Sequence, residues 1–258
     1  MIEPGLFLGV IAALAGMMIG SFLNVVIYRL PKNESIVLPG SHCTSCNSAI
    51  KWYHNIPILS YFILRGKCAN CGESFSFRYA FVEMLTGTLW FWGFYKYALP
   101  EAILFVIIVS ILIAISFIDI DLMIIPLVLI LMALVVLFGY YLIYPENAIT
   151  AIWGMLMGVC YLGGVYLLTK GMFKKETMGM GDLQLIAVLG SWIGPMNIAA
   201  TIFLGSLITL IAFGIANRLS GKEADRALPF GPFLAFTGIA MFMLNPDWMN
   251  VMKYLHVI

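Results

Sequence analysis

Apolar residues are grouped along this chain in eight long segments, which short polar or Pro- and Gly-containing stretches separate. Most of them approach the ~20 residues that a helix needs to cross the hydrocarbon core of a bilayer. The sixth is short for a full crossing and is expected to lie partly in the membrane interface or in a cavity. The pattern predicts an all-α polytopic membrane protein with about eight transmembrane helices. The segments cover residues 5–28, 80–99, 102–118, 122–143, 149–169, 183–195, 197–217 and 228–245.

Composition excludes several classes of protein. Hydrophobic residues make up 62% of the 258 residues and charged residues only 10%, whereas an average soluble domain carries about 25% charged residues. The mean hydropathy of +0.99 agrees with a membrane protein. A soluble enzyme, a disordered chain and a disulfide-held secreted domain are therefore excluded. The first segment is too long for the apolar region of a signal peptide, so we expect a retained first helix.

The basic residues are distributed unevenly between the loops. With eight crossings, three loops on one side of the membrane hold 12 of the 14 Lys and Arg residues. Cytoplasmic loops carry the excess of basic residues, so these loops are predicted to be cytoplasmic and both termini to lie outside. The chain then divides into a first transmembrane helix (1–28), a cytoplasmic domain (29–79) and a multi-helix membrane domain (80–258). The basic residues concerned are Arg29, Lys32, Lys51, Arg65, Lys67, Arg78, Lys170, Lys174, Lys175, Arg218, Lys222 and Arg226.

Two Cys-x-x-Cys pairs lie in the predicted cytoplasmic domain. Cys43 and Cys46 form the first pair, and Cys68 and Cys71 form the second after 21 intervening residues. Such pairs supply four thiolates in a tetrahedron and are typical of a structural zinc site. The alternative is two disulfides, which rarely persist in the reducing cytoplasm. We therefore predict zinc bound by these four cysteines.

Three other residues could take part in metal or thiol chemistry. His42 and His54 lie near the cysteine pairs and are possible substitute ligands, although ordinary loop histidines are the simpler interpretation. Cys160 lies in an apolar segment and is expected to fill space in the core.

Four carboxylates lie within or at the edges of apolar segments, where charged residues are costly and often functional. They are Glu83, Asp119, Asp121 and Asp182, and the predicted topology puts them all near the cytoplasmic boundary. The aspartates have simpler interpretations, since Asp182 suits a helix N-cap and Asp119 and Asp121 suit ordinary boundary charges. Two carboxylates on one membrane face can also share a proton and activate a water molecule.

Several blocks of the sequence resemble the type IV prepilin peptidases, membrane aspartic proteases of the bacterial inner membrane with a G-x-G-D motif. Met178–Asp182 resembles that motif, and Ile118–Asp121 with Pro126 resembles the first catalytic segment of the family. The blocks occur in family order between about Gly20 and Phe236. The other blocks are Gly20–Pro31, Trp52–Tyr61, Arg78–Glu83 and Leu228–Phe233.

The resemblance implies a bifunctional enzyme. It implies cleavage of type IV prepilins or pseudopilins after the glycine of a short leader, at the cytoplasmic membrane face. It also implies N-methylation of the new N-terminal residue with S-adenosylmethionine, an activity associated with the zinc domain. By motif position the catalytic pair is Asp119 and Asp182, with Asp121 as a neighbour. The implied partners are these protein substrates and membrane lipid, without nucleic acid.

No motif identifies the residues that bind S-adenosylmethionine. The chain has no G-x-G-x-x-G fingerprint after a strand, so we expect the site to be built from residues 29–79 and the adjacent helix ends. The sequence departs from the family pattern at Leu127, where an Asp is common, and at Gln184, where a Lys is usual. Neither departure touches the predicted catalytic pair.

The local helix positions predict different roles for the two aspartates. Asp182 lies at a predicted helix N-terminus, where the helix dipole favours an anion, and Asp119 lies near a C-terminus, where it does not. Asp182 is therefore the expected base. Three alternatives remain open: a peptidase that no longer methylates, a G-x-G-D protease of another lineage that cuts within signal peptides, and a non-enzymatic transporter or scaffold with a zinc-ribbon loop.

Overall fold

The computed structural model describes residues 4–173, 178–220, 228–246 and 248. Within these ranges the regular elements are helices, and strand-like pairing is limited to two isolated bridges, His42 with Ala49 and Lys67 with Ser74. The predicted all-α class is confirmed. The helices are α1 (Pro4–Arg29), α2 (Leu59–Ile63), α3 (Arg78–Lys96), α4 (Leu99–Leu122), α5 (Leu127–Ile143), α6 (Ala148–Phe173), α7 (Met180–Ser220) and α8 (Gly231–Leu244). Short 3₁₀ turns cover Leu30–Lys32, Trp52–His54 and Pro145–Asn147.

Four helical stretches in the described part of the chain are long and apolar enough to cross a membrane. The apolar helices α5 and α8 are shorter, with 17 and 14 residues. The structure therefore supports a multi-pass membrane protein, while helix length by itself does not establish the predicted eight crossings. The four stretches are Gly5–Lys32, Leu99–Leu122, Pro145–Met172 and Met180–Leu219.

The predicted sixth and seventh segments are joined in α7, which is interrupted at Gly194. This residue has φ 78° and ψ 176°, outside the helical region, and Pro195 follows it. A positive φ costs glycine little, and proline cannot donate the helical hydrogen bond at that point. The Gly-Pro pair therefore divides α7 into two helical halves, as the sequence indicated. Lys174, Lys175, Lys222 and Arg226, which were assigned to loops, lie outside the described residues.

The chain divides into two compact units, Met1–Ala114 and Ile115–Ile258, with the boundary inside α4. In the first unit, glycines let α1 and α3 approach closely. A Cβ atom on Gly20 would lie 2.7 Å from the Cα atom of Glu83, and one on Gly87 would lie 2.6 Å from the Met17 side chain. Small residues at such contacts favour close helix packing in membranes, and this packing holds the start of α3 beside the end of α1.

In the second unit, α7 packs against α5, α6 and α8. Gly154 of α6 and Gly190 of α7 bring the two backbones into direct contact, so a Cβ atom on either glycine would overlap the other helix. The Trp192 ring stacks on Phe242 of α8, with 4.4 Å between ring centroids. Tyr141 of α5 donates a hydrogen bond from its hydroxyl to the backbone oxygen of an α7 residue at 2.6 Å. These contacts hold the first half of α7 in a fixed position beside α8.

Candidate functional site

The four cysteines of the two Cys-x-x-Cys pairs meet in the first unit. Their Sγ atoms all lie within 4.8 Å of one another, and those of Cys43 and Cys71 are 3.8 Å apart. Four sulfurs bound at about 2.3 Å to one tetrahedral zinc ion are separated by roughly 3.8 Å. All four are free thiols rather than disulfides. The cluster therefore has the dimensions of a Cys₄ metal site.

The two pairs have the same backbone construction. Asn47 and Gly72 directly follow the second cysteine of their pair and have φ values of 55° and 74°. The N–H of Asn47 donates to the backbone oxygen of Cys43 at 2.9 Å, and that of Gly72 donates to Cys68 at 3.0 Å. Asn and Gly tolerate the left-handed conformation better than other residues. Each pair thus closes as a tight turn that directs both sulfurs inward.

At two of the four cysteines, local hydrogen bonds favour the thiolate form that a metal ion requires. Those from the side chain and then the backbone of Ser48 lower the pKa of Cys46 to about 6, and the Asn70 side chain adds to the effect. The Sγ atom of Cys46 is 3.0 Å from Oγ of Ser48 and 3.7 Å from Nδ2 of Asn70. Backbone hydrogen bonds from Cys71 and then Asn70 also lower the pKa of Cys68.

The remaining candidate ligands lie apart from this cluster. Nδ1 of His42 is 3.0 Å from the backbone oxygen of Gly40, and the His54 ring contacts Tyr53 at 4.5 Å between ring centroids. Neither histidine belongs to the metal-binding group found among the described residues. Cys160, expected in the core, is instead exposed on α6. A thiol is apolar enough for the outer surface of a membrane helix.

A cavity of about 460 Å³ opens in the first unit and reaches Cys68. Its wall is formed by the C-terminal part of α1, the N-terminal part of α3 and the loop between them. This is the region in which the sequence led us to expect the binding site for S-adenosylmethionine. The wall includes Asn24, Tyr61, Tyr79 and Glu83. The Asn24 side chain donates to the backbone oxygen of Tyr79 at 3.1 Å, which ties the two helix ends together.

Glu83 is a buried carboxylate in the wall of this cavity, with 9% of its surface exposed. Its Oε2 atom accepts a hydrogen bond from the backbone N–H of Ile58 at 2.7 Å, and the Ser21 side chain is a second partner. Ile58 has φ 61° and ψ −54°, which is unusual for a β-branched residue. The carboxylate therefore stabilises a strained turn at the start of α2.

The predicted catalytic aspartates come together in the second unit. Asp119, near the end of α4, is only 5% exposed, and its Oδ2 atom accepts a hydrogen bond from the backbone N–H of Gly231 at 3.1 Å. Asp182 is half-buried in the first turn of α7. The two carboxylates are close enough for their charges to repel each other. Asp121 lies two residues after Asp119 and is exposed.

Ile125 packs between the segments that carry this pair. A Cβ atom on Gly181 would lie 2.9 Å from Cβ of Ile125, and one on Gly231 would lie 3.3 Å from its Cδ1 atom. The start of α7 and the start of α8 therefore both press on this one side chain. Sequence reasoning singled out neither Ile125 nor Gly231 as a site residue, although Gly231 belongs to a block that carries the family resemblance.

Comparisons with known proteins show the family to which the chain belongs. Residues 14–97 match the family described as Bacterial Peptidase A24 N-terminal domain, and residues 106–214 match the Type IV leader peptidase family. A Prepilin leader peptidase/N-methyltransferase of Pseudomonas putida is 33% identical, with 92% of this chain and 90% of that protein covered. The protein of the same name from Stutzerimonas stutzeri is 34% identical, with 88% and 87% covered.

A third relative carries a different name. The Type 4 prepilin-like proteins leader peptide-processing enzyme of Escherichia coli O78:H11 is 34% identical, with 92% of this chain and 94% of that protein covered. No solved structure matches the chain.

Proposed function

Because this chain belongs to the type IV leader peptidase family, we propose that it is a bifunctional prepilin-processing enzyme of the bacterial inner membrane. It cleaves type IV prepilins or pseudopilins after the leader glycine and then N-methylates the new N-terminal residue. The names of its relatives state these two activities. The observation that carries the proposal is the pairing of Asp119, near the end of α4, with Asp182, in the first turn of α7.

In the peptidase reaction, Asp119 and Asp182 hold a water molecule between them. One carboxylate, ionised, takes a proton from the water as the water oxygen attacks the carbonyl carbon of the leader glycine. The other, protonated, donates its proton to the leaving nitrogen. Two carboxylates at short range share one proton more readily than both ionise.

The structure adds a contact that the helix-dipole argument for Asp182 omitted. The N–H that reaches Asp119 belongs to Gly231, the first residue of α8. Both aspartates therefore lie at helix N-termini, where backbone N–H groups favour negative charge. The position of Asp119 near the end of α4 therefore does not make it less able than Asp182 to carry a negative charge. We assign the acid and base roles to the pair as a unit.

The test is mass spectrometry of a prepilin incubated with the purified full chain, with and without S-adenosylmethionine. We expect Asp119→Asn and Asp182→Asn each to slow cleavage by at least ~1,000-fold, as loss of a catalytic group does. Asp121→Asn is the matched control, because it removes an exposed carboxylate from the same helix, and it should cleave normally. Normal cleavage by both Asp119→Asn and Asp182→Asn would instead support a scaffold function or another catalytic pair.

The cysteine cluster is assigned to a structural zinc ion. Zinc suits four thiolates in a tetrahedron, and a fully ligated ion has no open position for substrate. The Sγ distances support this assignment. When bound, the ion joins two turns in a loop that has little regular structure of its own, between the end of α1 and the start of α3.

The membrane topology is proposed from the charge pattern. Eight crossings, with both halves of α7 counted, place residues 29–79 in the cytoplasm and both termini outside. The substrate supports this orientation, because a basic leader stays in the cytoplasm while the apolar helix of the prepilin lies in the bilayer. The cleavage site then falls at the cytoplasmic interface, at the depth where the topology places both aspartates.

A further inference from the structure

The cavity in the first unit has the size and lining of a small-molecule site. Its volume of about 460 Å³ falls within the roughly 300–1,000 Å³ of ligand pockets. The rings of Tyr61, Phe75 and Tyr79 contribute to its wall, and Asn24 and Asn55 supply polar groups. Aromatic faces with a few polar groups suit a flat heterocycle that carries hydrogen-bonding substituents.

Three basic residues line this cavity, Arg29, Lys51 and Lys67, so Glu83 is the one place in its wall that suits a cationic ligand. Among the described residues that line the cavity, Glu83 is the one acidic residue. The hydrogen-bond partners of its carboxylate are the backbone N–H of Ile58 and the Ser21 side chain, and neither of them is a cation. Burial of an uncompensated carboxylate is unfavourable, and a carboxylate has about four acceptor positions. Glu83 thus retains capacity for a positive group in the cavity.

We propose that this cavity binds S-adenosylmethionine and that Glu83 faces the positive charge of the methyl donor. The adenine ring then lies against the aromatic part of the wall. The inference rests on the proposed methylation and adds its location. It places donor binding in the unit Met1–Ala114, whereas Asp119 and Asp182 both belong to the unit Ile115–Ile258.

A purely positioning role for Glu83 is the competing explanation, because its carboxylate holds the strained Ile58 turn. The two explanations predict different results when Glu83 is replaced by glutamine. Glu83→Gln keeps an acceptor oxygen for the Ile58 N–H and removes the negative charge. Glu83→Ala removes both the charge and the acceptor. Glu34→Gln is the matched control, because Glu34 is an exposed glutamate in the loop between α1 and α3 and does not line the cavity.

The experiment measures equilibrium binding of S-adenosylmethionine to the full chain in detergent, together with separate rates of cleavage and methylation. We expect Glu83→Gln to weaken donor binding by at least ~10-fold, the effect of one lost charged contact, with cleavage unchanged. Glu34→Gln should bind the donor normally. Donor binding by Glu83→Gln at the wild-type affinity would overturn the proposal, and a loss confined to Glu83→Ala would assign a positioning role.

A second measurement needs no variant. Ultraviolet crosslinking of labelled S-adenosylmethionine to the wild-type chain should mark peptides from the cavity wall, in residues 41–75 or at the adjoining ends of α1 and α3. Labelling of other peptides by a chain that methylates would overturn this site and leave the proposed function intact. A chain that cleaves but neither binds nor transfers the methyl group would overturn the methylation as well.

Discussion

The backbone N–H of Gly231 donates a hydrogen bond to Oδ2 of Asp119 at 3.1 Å, although the two residues are 112 positions apart in the chain. A Cβ atom on Gly231 would lie 2.6 Å from that same oxygen. Gly231 therefore holds the Asp119 carboxylate by a hydrogen bond and, because it has no side chain, leaves room for it. Replacement of this glycine should displace Asp119 without removal of any titratable group.

Gly231→Ala should reduce prepilin cleavage by at least ~10-fold, because a displacement of about 1 Å at a catalytic group can cost far more. Methylation of a substrate that has already been cleaved should be retained. The matched control is Gly164→Ala on α6, where nothing lies within 4 Å of the added Cβ atom. Mass spectrometry of the two products separates the effects. Normal cleavage by Gly231→Ala would contradict the proposed position of Asp119.

The cysteine cluster predicts the metal content of the purified chain. Elemental analysis should find one zinc ion per chain, and Cys68→Ser should reduce zinc content at least several-fold, because zinc affinity depends on thiolate ligands. Methylation should fall with it, since the same loop lines the cavity. Cys160→Ser is the control, as Cys160 is exposed on α6 and lies outside the cluster. Full methylation by a verified zinc-free chain would contradict this dependence.

The contact of Gly154 with Gly190 predicts a loss of stability when either glycine gains a side chain. Gly190→Ala should destabilise the chain by about 1–3 kcal/mol, the usual cost of overpacking, because the added methyl group meets the backbone of α6. Thermal unfolding in detergent provides the measurement. Gly139→Ala on α5 adds the same methyl group to open space and should leave stability unchanged or slightly raise it. Equal melting temperatures for both variants would argue against this packing.

The proposed topology predicts the behaviour of reporter fusions. Alkaline phosphatase depends on disulfides, which form outside the cytoplasm. A fusion after Asn147, between α5 and α6, should therefore be active. A fusion after Val37, in the loop that carries the cysteines, should be inactive. The reverse pattern would place the cysteine loop outside the cytoplasm and would make disulfides the better assignment for the four cysteines.

The sequence was sufficient to predict the local features of the chain. The spacing of Cys43, Cys46, Cys68 and Cys71 indicated a four-sulfur cluster, and the structure brings these atoms within 4.8 Å of one another. The Gly194-Pro195 step indicated the break that divides α7. Both predictions depend on short-range geometry, since a tight turn between neighbouring cysteines and a break at Gly-Pro follow from backbone preferences of adjacent residues.

By itself the sequence determined the helical class, the candidate carboxylates and the cysteine pairs, because the length of apolar segments and residue type are properties of the chain alone. Only the tertiary structure placed Gly231 against Asp119, joined Glu83 to the Ile58 turn and formed the cavity beside Cys68. These relationships join helices that are distant in sequence. They depend on how closely glycines let helix backbones approach, and that distance is set by packing across helices rather than by any one segment.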